Sequence, residues 1–92
     1  MPTDFDMSGA WALSRQVALR PEPFGALAYH FGTRRLSFLK SPVLVRLVRN
    51  LGDYSSARDA CDALNIDAEG GPIESALRTL AGTGMIVRRG RT

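Results

Sequence analysis

His30 and Cys61 are the only histidine and the only cysteine of the chain, and they are the first residues that could carry chemistry. His30 lies in an aromatic stretch with no serine or cysteine motif that it could activate as a general base, so we expect a structural or surface role. Cys61 lies on the apolar stripe of a predicted helix, where a free thiol is usually a packing residue. One cysteine excludes an internal disulfide, and one cysteine with one histidine excludes the usual zinc clusters.

The carboxylates and glycines form no catalytic or phosphate-binding motif either. Six carboxylates are scattered over predicted helix starts and loops, where capping and solubility account for them: Asp53, Asp59, Asp62, Asp67, Glu69 and Glu74. The Gly70-Gly71-Pro72 sequence lacks the Lys-Ser/Thr ending of a P-loop. Catalysis needs a nucleophile, acid or base with partners that orient it, so the sequence predicts a protein that is not an enzyme and needs no cofactor or metal.

Length and charge narrow the class of protein. The 92 residues predict one small domain, and 12 Lys and Arg against 9 Asp and Glu leave a weak net charge of +3. Acidic residues stand near the N-terminus, where a signal peptide would have basic ones, and no apolar stretch approaches about 18 residues. We therefore expect a reduced, cytoplasmic protein that makes no contact with a membrane.

The N-terminal third begins with a segment that has no sustained period. Residues 1–10 are predicted to be a flexible N-terminal tail. The next large apolar residues all fall on odd positions, which predicts one half-buried strand: Trp11, Leu13, Val17 and Leu19. Pro21 and Pro23 end that strand, because each has a fixed φ angle and no N–H for a ladder.

Two further strands are predicted at residues 24–31 and 34–40, joined by a turn at Gly32-Thr33. In the last of these strands, Leu36 and Phe38 share one face and alternate with polar residues. The three strands together predict an antiparallel meander.

Residues 41–82 predict three helices. Ser41 and Pro42 read as an N-cap and a first-turn proline, Ser56 as the N-cap of the second helix, and Pro72 as the start of the third. A short apolar extended segment follows. This order predicts an α+β fold, namely a small winged helix-turn-helix-like domain in which a three-stranded antiparallel sheet precedes a three-helix bundle.

A winged-helix DNA-binding regulator is one functional interpretation of such a fold. The third helix and the chain end offer polar and basic side chains for this: Glu74, Ser75, Arg78, Thr79, Arg88, Arg89 and Arg91. So few basic groups predict weak, salt-sensitive association with a duplex, and we expect no nucleic-acid partner.

Peptide binding is the second interpretation, because the third strand lies at an edge of the predicted sheet. Arg34, Arg35 and Lys40 would limit self-pairing and would attract an acidic extended peptide. If the third helix lies beside this strand, its apolar residues and Leu36 or Phe38 form a groove in which a peptide adds as a strand. The opposing interpretation, which the pattern alone favours, is that these apolar side chains are simply core: Leu36, Phe38, Ile73, Leu77 and Leu80.

A family resemblance supports the second interpretation. The run Gln16–Lys40 closely resembles the small peptide chaperone of the mycofactocin system. The downstream segments Ala76–Leu80 and Gly84–Val87 resemble the broader PqqD-like RiPP recognition element family, which recognises ribosomally made, modified peptides. The resemblance identifies residues 11–87 as a PqqD-like peptide-recognition domain, with residues 88–92 as a basic C-terminal tail.

The resemblance implies a non-catalytic chaperone that binds the acidic leader of a precursor peptide and delivers it to a radical S-adenosylmethionine (SAM) maturase. The leader would join the sheet as a fourth strand, between the third strand and the third helix. The iron–sulfur clusters belong to the maturase, since one cysteine here could not hold any. The predicted peptide-binding residues are Arg34, Arg35, Leu36, Ser37, Phe38, Leu39, Lys40, Ile73, Leu77, Arg78, Leu80 and Ala81.

Strand alternation makes this proposal more specific. If Leu36 and Phe38 face the helices, then Arg35, Ser37 and Leu39 face the opposite side of the sheet, and Leu77 and Leu80 offer apolar pockets. Replacing Ser37 by proline would then remove one N–H and distort the edge, which should weaken leader capture while the helices stay folded. An unliganded edge could also pair with a second copy, giving a homodimer that leader binding dissolves.

Overall fold

Five strands and three helices make up the described part of the chain, which is residues 5–68 and 70–89 of a computed structural model. In chain order they are β1 (Trp11–Leu13), β2 (Val17–Glu22), β3 (Gly25–His30), β4 (Arg35–Leu39), α1 (Pro42–Asn50), α2 (Ala57–Ala63), α3 (Pro72–Gly82) and β5 (Ile86–Arg88). A short 3-10 helix at Leu51–Asp53 separates α1 from α2. The predicted α+β class is confirmed.

The strands form two sheets rather than one. An antiparallel sheet in the order β2-β3-β4 confirms the predicted meander, but its first strand begins at Val17 and not at Trp11. The predicted single strand is wrong because a turn interrupts it: the Val17 N–H donates to the Ser14 carbonyl, and the Gln16 N–H donates to Ser14 Oγ. The β1 segment instead pairs antiparallel with β5 in a separate two-stranded sheet.

The helices begin where capping chemistry predicts. Ser41 Oγ accepts the Leu44 N–H at 3.3 Å, and Pro42 occupies the first helical turn of α1. Ser56 Oγ accepts the Asp59 N–H at 3.0 Å at the start of α2. Serine side chains at such positions accept backbone donors that have no partner within the helix.

The inner face of the three-stranded sheet packs on α1. Ala26 and Ala28 of β3 are fully buried there, and the small side chains allow the helix to approach the strand closely. The largest fully buried side chains of the described residues complete the core: Trp11, Leu39, Leu47, Leu51, Leu77, Met85, Ile86 and Val48.

The predicted flexible tail, residues 1–10, is structured over its described part. Phe5 and Met7 are buried, and the Phe5 ring lies 5.1 Å from that of Trp11. Backbone carbonyls of this segment accept N–H groups from the start of α2. Asp6 accepts the hydroxyl and the N–H of Ser8, and these bonds hold the pKa of the Asp6 carboxyl below its usual value. Aromatic and sulfur-containing side chains thus anchor residues 5–10 to the core.

The described part of the predicted C-terminal tail is also engaged. Arg88 ends β5 and its guanidinium lies 5.0 Å from the Trp11 ring, a cation–π geometry. The Arg89 guanidinium donates to the carbonyls of Gly52 at 2.7 Å and Tyr54 at 2.9 Å. The remaining tail, 90–92, lies outside the described residues.

No helix in the part of the chain that the structure describes is long and apolar enough to cross a membrane. The longest helix, α3, has 11 residues.

Candidate functional site

Strand β4 is an edge of the three-stranded sheet and the end of the meander. In the order β2-β3-β4, it has a strand neighbour on one side only within the described chain. The N–H and C=O groups along the other side are therefore candidates for pairing with another chain.

The hydrogen bonds of β3 determine which β4 residues point to that free side. Phe31 follows β3 directly, and its N–H donates to the Gln16 carbonyl at 2.7 Å, toward β2. In an antiparallel ladder both backbone groups of a residue point to one side, and successive residues alternate. Odd-numbered residues of β3 therefore bond to β2, and even-numbered ones bond to β4. The bond from the Arg34 N–H to the carbonyl of His30, also 2.7 Å, agrees with this phase.

Leu36 and Phe38 are consequently the residues of β4 whose backbone groups face the free edge. Ser37 and Leu39 lie opposite even-numbered residues of β3, so their backbone groups bond within the sheet. Proline at Ser37, predicted to weaken leader capture at the edge, would therefore remove a bond to β3 and not an N–H at the free edge. Proline at that position would break the sheet itself.

Side-chain burial in β4 is the reverse of the predicted arrangement. Leu36 and Phe38 are 58% and 59% exposed, whereas Leu39 is 1% exposed and faces the helices. The reason lies in β3, whose buried alanines define the inner face. Leu39 lies directly opposite one of them, Ala26, and cross-strand partners share one face of the sheet, so Leu39 is buried as well. Leu36 and Phe38 thus contribute both backbone groups at the edge and apolar side chains on the outer face.

Aromatic side chains surround these two residues on the outer face. The Phe24 ring meets the Phe38 ring edge-on at 5.8 Å, and with Lys40 they line an open hollow of about 380 Å³. The Tyr29 and Phe31 rings form a second edge-on pair at 5.3 Å. Phe24 and Phe31 are absent from the predicted site, although their positions just outside the ends of β3 could have suggested them.

The predicted basic side chains remain available along β4. Arg34, Arg35 and Lys40 are exposed, and none forms an ion pair with another described residue. Arg34 has φ of +62°, a left-handed conformation that L-residues adopt at a cost. The edge therefore carries positive charge at both of its ends.

The predicted α3 residues divide into core and surface. Leu77, Leu80 and Ala81 are buried and pack in the core, so they offer no pocket to a peptide on the surface. Ile73 is half-buried. The principal partner of α3 is β5, while β4 packs on β3 and α1. The predicted groove between β4 and α3 is therefore not formed by direct packing of these two elements on each other.

Arg78, the predicted charge partner on α3, is exposed but already engaged. Its guanidinium donates to Glu74 Oε2 at 3.0 Å and to the Phe5 carbonyl at 3.3 Å, and it lies 5.8 Å from the Phe5 ring centre. An acidic peptide would have to compete with Glu74 for this group.

His30 and Cys61 have structural positions. His30 is buried, and its Nδ1 accepts the N–H groups of Gly32 at 3.0 Å and Thr33 at 3.1 Å, which shapes the turn into β4. Cys61 is buried in the core, as predicted. Among residues 5–68 and 70–89, no group of three or more His, Cys, Asp and Glu side chains could hold a metal ion.

Comparison with known proteins identifies the family. A protein of Mycobacterium ulcerans (strain Agy99) named peptide chaperone MftB is 52% identical over 84 residues, which cover 90% of this chain and 77% of that protein. The peptide chaperone MftB of Mycobacterium tuberculosis (strain ATCC 25618 / H37Rv) is 48% identical over 91 residues, covering 98% and 84%. No solved structure shows significant similarity. The model of the peptide chaperone MftB family matches residues 10–87, and the chain therefore belongs to that family.

Proposed function

We propose that this protein is a peptide chaperone that binds the leader of a ribosomally made precursor, the mycofactocin precursor, by strand addition at β4. The observation that carries the proposal is the pair of residues Leu36 and Phe38, whose backbone groups face an open sheet edge. An extended peptide at such an edge gains main-chain hydrogen bonds, and side chains beside it give specificity. The names of the relatives, which are peptide chaperones, support the same role.

Charge supports an acidic leader as the bound strand. Arg34, Arg35 and Lys40 flank the edge without ion-pair partners among the described residues, so an acidic peptide would meet unneutralised cations. Such complementarity contributes more to the association rate and the register than to net affinity. We expect the association rate to fall as salt concentration rises.

The proposal extends to α3 as the second wall of the groove, which requires α3 to approach β4 when the leader binds, because in the free protein α3 packs chiefly on β5. Ile73, which is half-buried against the core, and the exposed cation Arg78 would then contact the side chains of the leader that point toward the helix. Leu77, Leu80 and Ala81 remain in the core.

The chaperone presents the bound leader to a radical SAM maturase, which carries the chemistry. The family name describes a chaperone, a role that needs no catalytic group. The protein contributes affinity and position, and the maturase contributes the cofactor and the clusters.

The free edge also permits a homodimer in the absence of leader. Two β4 edges could pair antiparallel through Leu36 and Phe38, but the flanking cations would repel each other. Because the leader and a second copy would occupy the same edge, leader at saturating concentration should convert any such dimer to a 1:1 complex. Sedimentation velocity measures this change.

DNA binding as a winged helix is the weaker candidate. Three of the four guanidinium groups predicted for phosphate contacts are used within the described chain, and Arg91 lies outside it: Arg78 contacts Glu74, Arg88 lies over Trp11, and Arg89 donates to backbone carbonyls.

A proline pair in β4 tests strand addition. Leu36→Pro removes an N–H at the free edge, where proline is tolerated, and should weaken binding of a synthetic acidic leader by about tenfold or more while the protein stays folded. Ser37→Pro removes an N–H that bonds to β3 and should unfold the sheet. Amide-resolved NMR titration measures binding, and far-UV circular dichroism with urea titration measures folding.

The matched control is Val43→Ser, an exposed apolar position on α1, which should change neither property. Normal leader affinity in a folded Leu36→Pro variant would exclude strand addition at β4. Shifts confined to α3 and the C-terminal arginines on addition of duplex DNA, with none on addition of leader, would favour the DNA-binding alternative.

A further inference from the structure

A hollow lies beside the free edge of the sheet, at the end of β4. The rings of Phe24 and Phe38 form its walls, Lys40 lies at its lip, and its volume is about 380 Å³. We name it the aromatic hollow. Phe38 is also one of the two residues of β4 whose backbone groups face the free edge. A strand that pairs with Phe38 therefore lies next to the aromatic hollow.

The turn between β2 and β3 holds Phe24 at this end of β4. Gly25 follows Phe24 and lies so close to β4 that a Cβ at its position would collide with the Leu39 carbonyl oxygen. Only glycine lacks the Cβ that would prevent this approach. The turn thus sits against the end of β4, where the Phe24 ring meets the Phe38 ring edge-on with ring centres 5.8 Å apart. The aromatic hollow is therefore a product of the turn and the edge strand together.

A strand added at β4 places every second side chain on the side of the aromatic hollow. Cross-strand partners share one face of a sheet, with Cβ atoms about 4.5–5.5 Å apart. The residues of a bound strand that lie opposite Leu36 and Phe38 therefore point to the exposed outer face, and the residue between them points inward. Side chains alternate in this way for either strand direction. The position of the aromatic hollow thus selects its occupant, which is a side chain of the strand bound at β4.

The walls of the aromatic hollow select an apolar side chain. Phe24 is 43% exposed and Phe38 is 59% exposed, so a side chain that enters between them removes ring surface from water. Rings in an edge-on arrangement also offer favourable contacts to a further aromatic side chain. A polar side chain would lose hydration there without gaining a hydrogen-bond partner from either ring.

We infer that the aromatic hollow is a specificity pocket for the leader and takes one leucine or aromatic side chain from the leader position opposite Phe38. The inference rests on the proposed function, since it needs a strand at β4. It adds to that function a requirement on the sequence of the bound peptide.

Lys40 and Leu36 extend this requirement by one position on each side. Lys40 stands two residues after Phe38 and two residues beyond the strand's other outward side chain partner at the pocket, and it forms no ion pair with another described residue. A leader residue two positions from the pocket residue, toward Lys40, should therefore be acidic. The residue two positions away on the other side lies opposite Leu36 and should be apolar. Every second position of the leader thus reads acidic, large apolar, apolar, in an order that the strand direction decides.

A double-mutant cycle between the protein and the leader tests the pocket. The probe is a synthetic peptide with the leader sequence of the mycofactocin precursor, together with variants that carry alanine at one position each. For the wild-type chain, we expect one apolar leader position at which alanine weakens binding by about tenfold. Phe24→Ala changes no residue of β4 and should itself weaken binding by about five- to tenfold. Alanine at the same leader position should then cost no more than about a further twofold, a coupling that isothermal titration calorimetry measures.

Phe31→Ala is the matched control, because it removes a ring of the same type that is 57% exposed and stands outside the three residues that line the aromatic hollow. It should leave the affinity and the alanine profile of the leader unchanged. Lys40→Gln should couple to an acidic leader position two residues from the pocket position, with an effect that shrinks as salt concentration rises. Circular dichroism verifies that each full-length variant is folded.

The outcomes distinguish the pocket from the proposed function. Full leader affinity in a folded Phe24→Ala variant, or losses that add at every leader position, would overturn the pocket and leave strand addition standing. An equal loss of affinity in Phe31→Ala would also overturn it. If Phe24→Ala instead abolished only self-association in sedimentation velocity, the aromatic hollow would belong to a contact between two copies of the chain. Failure of the leader to bind the wild-type chain, or normal binding by Leu36→Pro, would remove the proposed function and the pocket with it.

Discussion

The two faces of the three-stranded sheet reverse the usual relation between side-chain size and burial. On the inner face, Ala26 and Ala28 of β3 are buried against α1, together with the larger Leu39 of β4. On the outer face of the same strands, Leu36 and Phe38 are more than half exposed. The difference teaches that close helix packing, rather than hydrophobicity, selects the residues of the inner face, and that it leaves larger apolar side chains on the exposed outer face.

The two faces should therefore contribute differently to the stability of the fold. Burial of apolar area stabilises by roughly 25 cal/mol per Å², so the inner face contributes to stability and the exposed outer side chains contribute little. Substitutions on adjacent residues of β4 should therefore have different consequences for folding and for binding.

Leu39→Ala and Phe38→Ala should separate these roles most strongly. Leu39→Ala leaves a cavity in the core and should lower the free energy of unfolding by about 2–5 kcal/mol. Phe38→Ala changes an exposed side chain and should alter it by no more than about 0.5 kcal/mol, while it weakens partner binding. Urea titration followed by circular dichroism measures both. Similar losses of stability in the two variants would contradict the assignment of the two faces.

His30 provides an intermediate test, since it is a buried polar residue on the inner face. His30→Ala removes the acceptor of the Gly32 and Thr33 N–H groups and should lower the free energy of unfolding by about 1–3 kcal/mol. His30→Asn keeps a side-chain acceptor for a following N–H and should recover part of that loss. Urea titration of both variants checks the order. If Asn is no better than Ala, packing of the ring and not hydrogen bonding is the main contribution of His30.

Local chemistry predicted the helices better than it predicted the sheets. The N-caps at Ser41 and Ser56 and the helix start at Pro72 depend on neighbouring residues, and all three agree with the structure. The break between β1 and β2 does not follow from the pattern, because Trp11 and Val17 keep the same odd parity across the turn. The pairing of β1 with β5 joins the two ends of the domain, and such long-range contacts leave no local signal in one sequence.

The sequence predicts which strand forms the candidate site, but not which of its side chains face the core. The position of β4 and its basic ends follow from the hairpin pattern. Apolar residues stand on both faces of β4, however, so alternation alone does not show which face is buried: Leu36, Phe38 and Leu39. The partner strand resolves this, since the buried alanines of β3 decide which set faces α1. Residues 5–10 were missed for a similar reason, because Phe5 and Met7 stand among polar residues and their burial depends on tertiary contacts alone.

Arg34 offers the smallest and sharpest test, because here stability and binding should move in opposite directions. It has φ of +62° in the turn before β4, where glycine has no Cβ to clash, so Arg34→Gly should raise the free energy of unfolding by up to about 1 kcal/mol. The same change removes a cation from the edge and should slow association with an acidic leader, most clearly at low salt. Arg34→Lys is the matched control, since it keeps the charge and the backbone cost and should leave both properties near wild type. Stopped-flow association and urea titration measure the two effects. A glycine variant that is no more stable than the lysine variant would mean that the turn tolerates arginine without cost, and unchanged association would mean that the other cations at the edge suffice to attract the leader.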